Sequence, residues 1–584
     1  MKNFLKDLLS FKEPRQTEKF ILKENKQDEK TTKNGSSETD HQNNEGNTLL
    51  NKILGSNQEE DKFEKADEKQ ESRIHRKLSK NMSYMKEVYS IPKNGDLILR
   101  EFDIIVKNKS IPAFIIFYDG MIDRQIINNF ILTPLMLLSN LDIKDDPKII
   151  VDYIKKHILP QNQLKEAKKY IEVIDEINFG GCGIFIDGVD IAFAADVKGW
   201  EHRGVERPNS EQILRGPQEG FTEVVRINTA LVRKIMKDEN LIVEDVIVGK
   251  RSKTPCSMLY IKNLTNKSLI EEMRRRLENI QIDYLIDSGE LEQLLEESSL
   301  SPVPQLMATE RPDIVAGHIA DGKVGVIVHG SPFVLLAPVT LVDLLQSPED
   351  NYVRLPYAHL LRFIRFLGIL LSLLLPGLFI AITNFHQEMI PTDLVYAIEA
   401  SREQVPFPSL IELLLMEIMF ELIREAGIRI PGPIGPTLGI IGALILGQAA
   451  VEASIVSPIL IIIVAITGIG SFAIPNFALG LSFRVLRFGY ILLGAIAGFL
   501  GITLGLFIQG IIFVNSKSFG VPIAMPTGPK TSASFSSNKL IRLPIWKQER
   551  RADYLNTIDE NKQPKVSRKW VNYNQSEGKD KNEK

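Results

Sequence analysis

Cysteine is nearly absent from this chain, with only Cys182 and Cys256 in 584 residues. Two isolated thiols make neither a disulfide framework nor a metal-ligand spacing, so both are expected to be small buried apolar side chains. Net charge is nearly absent too, at −3, which removes the electrostatic argument for a nucleic-acid partner. The N-terminus, MKNFLKDLLSFKEPRQ, lacks the unbroken apolar stretch of a signal peptide, so the region behind it is expected on the cytoplasmic side. Catalytic constellations are also missing. Asp119 and Asp123 in DGMID fit a turn and a helix N-cap better than a metal loop. Gly180, Gly181 and Gly183 precede a hairpin rather than a helix that could hold a phosphate. His318 and His329 have no carboxylate or cysteine at ligand spacing. We therefore expect no enzyme, no cofactor and no metal.

What is present is a sharp division of composition. Residues 1–83 are rich in Lys, Glu, Asp, Asn, Gln and Ser, and read as a disordered polar leader. Beyond Tyr84 a repeat emerges. IIFYDGMIDRQIINNFI (115–131) matches MLYIKNLTNKSLIEEMR (258–274), each a strand, a polar turn and a helix. GIFIDGVDIAFAADV (183–197) matches GVIVHGSPFVLLAPV (325–339), each a strand, a tight turn at Asp187-Gly188 or His329-Gly330, and a returning strand. The expected fold is a duplicated α+β region, with subdomains at 84–200 and 225–350, followed by an all-α multi-span membrane domain. Residues 201–224 read as a linker or as a coupling interface carrying Glu201, Arg203, Glu206, Arg207, Glu211, Arg215 and Glu219.

The membrane domain is placed at 351–516, with four to six helices. Four stretches suit a bilayer span of about 20 apolar residues: 366–385, 434–451, 456–474 and 488–513. Between the first two lies PSLIELLLMEIMFELIREAG (408–427), where Ser409 and Glu412 have capping-box spacing. Glu417, Glu421 and Glu425 then form an acidic stripe on an apolar helix. That helix either lies flat with its glutamates in water or crosses the bilayer and lines a polar path. Gln448 and Glu452 are a second polar pair, one turn apart, which lines a path or marks the interface. Gly439, Gly442 and Gly447, then Gly494, Gly498, Gly501 and Gly505, have the spacing that lets helix backbones approach closely in lipid. Arg354, Arg362 and Arg365 before the first span, and a basic tail at 517–584, set both ends on the cytoplasmic side. With four spans and a flat acidic helix, Arg484 and Arg487 fall outside, which counts against that count.

Long runs carry a resemblance to a known family. They include LRGPQEGFTEVVRINTALVRKIMKDENL (214–241), ERPDIVAGHI (310–319), SPFVLLAPVTLVDLLQSPEDNY (331–352), REQVPFPSLIELLLMEIMFELIREAGIRIPGPIG (402–435) and GALILGQAAVEASIVSP (442–458). From about 84 to 550 the chain resembles the A subunit of the GerA family of bacterial spore germinant receptors. The resemblance implies the inner membrane of a spore, a transporter-like B subunit that binds the nutrient, and a C-subunit lipoprotein. It also implies homo-oligomers that form a nutrient-gated conduit for monovalent cations. Three alternatives stay open: a non-conducting scaffold, a secondary transporter, and a paralogue that amplifies germination without its own nutrient partner.

Overall fold

The computed structural model describes Phe20, Leu22 and residues 73–106, 109–137, 164–199, 207–208, 211, 215–299, 301–347, 349–428, 442, 445–525 and 542–563. Most of the expected leader and part of the expected linker lie outside these residues, as does Gly439.

The duplication is visible strand by strand. The first module carries α1 (Leu78–Val88), β1 (Leu97–Val106) and β2 (Lys109–Tyr118). A helix, α2, starts at Arg124–Ile126, passes through a π turn at Ile127–Leu132 and ends at Thr133–Leu137. Then come β3 (Leu164–Ala167), α3 (Tyr170–Asn178), β4 (Cys182–Ile186) and β5 (Ala192–Ala195). The second module repeats this order with α4 (Val225–Ile235), β6 (Leu241–Val248), β7 (Thr254–Ile261) and α5 (Lys267–Glu278). It continues with α6 (Ser288–Leu295), β8 (Met307–Thr309), α7 (Pro312–Ala320), β9 (Val324–Val328) and β10 (Val334–Ala337).

Each sheet is fully antiparallel, in the order β1-β2-β4-β5-β3 and β6-β7-β9-β10-β8. The registers agree as well. Ile115 faces Ile184 as Met258 faces Val326, and Ile184 faces Phe193 as Val326 faces Leu335.

Both faces of each sheet are covered, which is why the central strands are apolar throughout rather than alternating. Phe114 and Ile116 pack with α1 and α3, while Ile115 and Phe117 pack with α2. The helix α1 corrects the leader boundary at 83. Ile74, Leu78 and Met85 are core residues, and α1 is the counterpart of α4, where the second subdomain was expected to start. The turns also differ. Gly188 and Gly330 do take positive φ, at 80° and 94°, but each sits in a loop longer than a tight turn, spanning Asp187–Ile191 and His329–Phe333.

One buried clasp joins the modules. Arg233 of α4 grips Asp96 through Nε and Nη2 at 2.6 and 2.7 Å, and Nη2 also reaches Asn94 at 3.0 Å. The Tyr118 ring lies 3.9 Å beneath the guanidinium. Both charges are almost fully enclosed.

Beyond α8 (Leu341–Leu345) the chain becomes helical: α9 (Leu355–Phe385), α10 (Thr392–Arg402), α11 (Ser409–Ile428), a helix over 445–452, α12 (Pro458–Phe472) and α13 (Phe477–Asn515). Among the described residues, α9 and α13 are long and apolar enough to cross a membrane. α12, at 15 residues, is shorter than the 456–474 span expected there, because Pro458 and the Ala473–Asn476 turn bound it.

The 488–513 span needs a larger correction. α13 breaks at Gly498, where φ is 56° and ψ is −135°. A straight helix would separate Tyr490 and Gln509 by about 28 Å, yet their side chains are hydrogen-bonded. The two halves of α13 therefore fold back on each other.

The described residues of the expected basic tail pack on the second module and the start of α9. β11 (Lys517–Ser518) and β12 (Val521–Pro522) form a small hairpin seated on the second module. Farther on, Arg542 donates to the Val353 and Asn351 carbonyls, and Ile558 N–H to the Leu264 carbonyl.

Candidate functional site

The contacts set the direction of each helical leg. Gly377 of α9 lies against Tyr490 and Gly494, and Phe385 lies against Gly498, so α9 and the first half of α13 run together. Gly368 meets Gly470, while Ile380, at the other end of α9, shares a cluster with Leu413 and Leu460. Thus α12 runs against α9. α11 runs with α12, since Glu412 meets Ser457 and Phe420 meets Gly468. The segment through 445–452 runs against α11, with Gly442 near Ile423 and Ser454 near Gln404. Six legs result among the described residues, alternating so that Leu355 and Asn515 end up on the side of the second module. Two joints hold them there: Arg362 and Arg365 grip Asp350 at 3.0 and 2.7 Å, and Ser518 Oγ donates to the Gln305 carbonyl at 2.6 Å.

Small residues set the spacing of these legs, as the glycine pattern suggested, but with a different division of work. A methyl group on Gly494 would lie 2.6 Å from the Gly377 carbonyl oxygen, and one on Gly470 would lie 2.7 Å from that of Gly368. Gly501 and Gly505 abut Leu493, in the first half of their own helix. Gly498 makes the reversal, Gly447 touches Ile461 and Gly442 touches Ile423. The partners Gly368, Gly377 and Gly470 went unseen in the sequence because none has another glycine three or four residues away.

The acidic residues separate into two sets. Glu417 is fully buried, and its Oε2 accepts from Arg487 Nη1 at 2.6 Å. Arg487 Nη2 also donates to Ser372 Oγ at 3.2 Å. One turn along α11, Glu421 pairs with Arg424 at 3.3 Å and with Arg484 at 3.5 Å, and Arg424 donates to Ser471 at 2.7 Å. Glu412 is enclosed too. Its carboxylate accepts the Ser457 N–H at 2.5 Å and faces Arg402 at 3.8 Å, so it ties two legs together instead of closing the expected capping box with Ser409, which lies inside α11. These placements rule out a flat helix with all its glutamates in water, because Glu417 is sealed between protein helices. Removing one partner of such a buried pair costs about 3–5 kcal/mol.

The second set is exposed. Glu425 stands at the end of α11. Gln448 and Glu452 lie on the open face of 445–452 and touch each other at 3.2 Å. The arginines that answer the acidic stripe were missed as partners. Arg484 and Arg487 lie about one turn apart, as Glu417 and Glu421 do, but nothing in the sequence pairs their two helices.

In the soluble modules, Asp123 caps α2 by accepting from the N–H groups of Gln125 and Ile126. Asp119 pairs with Arg124 at 2.6 Å. The described part of the linker is bound rather than free. Glu211 accepts from Thr309 Oγ1 at 2.6 Å, and burial raises its carboxyl above the usual range. Burial, then Glu296 and Asp287, pushes Glu292 of α6 up to about 7. Among the described residues no group of His, Cys, Asp and Glu could hold a metal ion.

Comparison with known proteins is consistent along the chain. Residues 83–554 match the family model described as the Bacillus/Clostridium GerA spore germination protein. Spore germination protein KA of Bacillus subtilis is 37% identical, the match covering 86% of this chain and 92% of that one. Spore germination protein A1 of the same organism is 40% identical, over 76% and 92%. Spore germination protein GerLA of Bacillus cereus is 35% identical, over 81% and 94%. The crystal structure of the N-terminal domain of the A subunit of the Bacillus megaterium spore germinant receptor GerK3 aligns at 29% identity and a TM-score of 0.36. That alignment covers 46% of this chain and 96% of that one.

Proposed function

This chain belongs to the GerA spore germination protein family, and from that premise we propose that it conducts cations as the membrane subunit of a germinant receptor. It acts in spore germination as a receptor subunit. In this reading the six legs cross the spore inner membrane, with the paired modules in the cytoplasm. Several copies assemble around a shared path. A transporter-like B subunit senses the nutrient, and a C-subunit lipoprotein completes the receptor.

One observation carries the choice of lining. Gln448 and Glu452 stand together on the exposed face of an apolar helix. A carboxylate facing lipid is costly, so this face calls for water or another subunit. A ring of such faces supplies both, and its carboxylates favour cations. Glu425 extends the same acidic character to the end of α11, whereas Glu417 and Glu421 face arginines within one subunit. The polarity of the legs agrees with this placement. With the second module in the cytoplasm, Arg484 and Arg487 sit in the half of their leg nearer that side, as the positive-inside rule favours.

A non-conducting scaffold is the second reading, and the pairing of Glu417 and Glu421 with arginines favours it. Spores carrying Gln448→Ala with Glu452→Gln distinguish the two. A lining role gives slower nutrient-triggered potassium release at unchanged receptor abundance. Release at the wild-type rate removes this face from the path.

A further inference from the structure

We propose that the Glu417–Arg487 pair is a latch that holds the path closed by neutralising Glu417, and that opening frees this carboxylate to attract cations. The inference rests on the conducting role proposed above and names the element that gates it.

Three helices meet at the pair: Glu417 comes from α11, Arg487 from α13 and Ser372 from α9. The pair is enclosed but incompletely bonded. Glu417 Oε1 and Arg487 Nε are both buried and have no hydrogen-bond partner among the described residues. Buried charged groups with unused hydrogen-bonding atoms are costly. The closed arrangement therefore competes with one in which these atoms meet water. A permanent strut would gain from two-point pairing, as where Asp96 accepts on both of its oxygens from Arg233.

The neighbouring charges offer a route between the two arrangements. α11 and the first half of α13 run in opposite directions, so Glu417 faces Arg487 and Glu421 faces Arg484 as successive rungs. A shift of one turn, about 5.4 Å, brings Glu421 to Arg487 and leaves Glu417 without its cation. In the structure Arg424, on the same leg, also pairs with Glu421 and donates to Ser471, between the rings of Phe420 and Phe472.

The test uses the sign of the charge left behind. Arg487→Gln leaves a free carboxylate, and Glu417→Gln leaves a free guanidinium. In spores with the complete receptor, R487Q should release potassium without nutrient about tenfold faster than wild type. E417Q should stay silent at rest and release about tenfold more slowly with nutrient. The exchange E417R/R487E should restore both rest and response. Equal changes in the same direction for R487Q and E417Q, at matched membrane abundance, would overturn the latch, since a merely structural pair fails alike from either side. If neither single variant reaches the membrane, the exchange decides alone. Nutrient-dependent release supports the latch, and a leak at rest overturns it. Wild-type protein that passes no ions in vesicles defeats the conducting role itself, whereas conduction with matched single variants defeats only the latch.

Discussion

Arg233 in the α+β modules and Arg487 among the apolar helices are both buried and both paired with a carboxylate, yet they are built differently. Arg233 meets Asp96 through two nitrogens, adds Asn94 and rests on Tyr118. Arg487 meets Glu417 through one nitrogen and Ser372 through another, with its Nε unused. A carboxylate held through both oxygens makes a buried pair a fixture, whereas one held through a single oxygen leaves the pair able to exchange partners. The first pair joins two halves of a duplicated domain that have no need to move. The second lies among legs that, in the proposed role, must rearrange.

The largest effect should come from breaking the two-point pair. Arg233→Ala strands Asp96 beneath the module interface and should destabilise the soluble region by about 3–5 kcal/mol, read by denaturant unfolding of the full chain in detergent. A loss under 1 kcal/mol would erase the contrast between the two pairs.

Next is the joint between the two regions. Phe519 is buried in the second module four residues beyond α13, with the Arg276 guanidinium 4.1 Å from its ring. Phe519→Ala should cost about 3 kcal/mol by leaving a cavity, seen as a lower thermal midpoint of the second module.

Within the helices, Gly494→Ala places a methyl group against the Gly377 backbone and should cost about 2 kcal/mol, measured as a lower melting temperature in detergent. Gly489→Ala, where no other element among the described residues lies within 4 Å of the added methyl, is the matched control and should be neutral.

The smallest effect is a stabilisation. The Glu292 carboxyl titrates near 7 when folded, above its unfolded value, so its contribution is full at low pH and is lost as pH rises towards 7. Because the side chain is only half-buried, Glu292→Gln should stabilise the second module by about 1 kcal/mol at pH 8 and by almost nothing at pH 4.5. Thermal melts at the two pH values check this. An equal gain at both would assign the effect to something other than ionisation.

The soluble fold was largely legible because it is written twice. Two matched strand pairs at a common offset anticipated equivalent registers, and DGMID anticipated the Asp123 cap. The helix at Leu78 was missed because LSKNMSYMKEV is mostly polar around its few core residues. The helical region was legible in apolar content and in its acidic stripe, but not in its pairing. Arg487 stands 70 residues from Glu417, and periodicity along one helix carries no information about which other helix will face it. The break at Gly498 was hidden for a related reason. The apolar run is continuous through it, and glycine there has the same spacing as its packing neighbours. The attachments of the tail were not legible because they combine isolated apolar residues such as Phe519 and Tyr554 with single polar contacts, and show no periodic stripe.

Potassium flux through vesicles containing only the purified full-length chain tests the conducting role most directly. A cation path gives flux that exceeds chloride flux and falls when Glu452→Gln is combined with Gln448→Ala. Vesicles with oligomeric protein in the bilayer and no flux for any variant, R487Q included, would show that the chain transmits a signal without conducting.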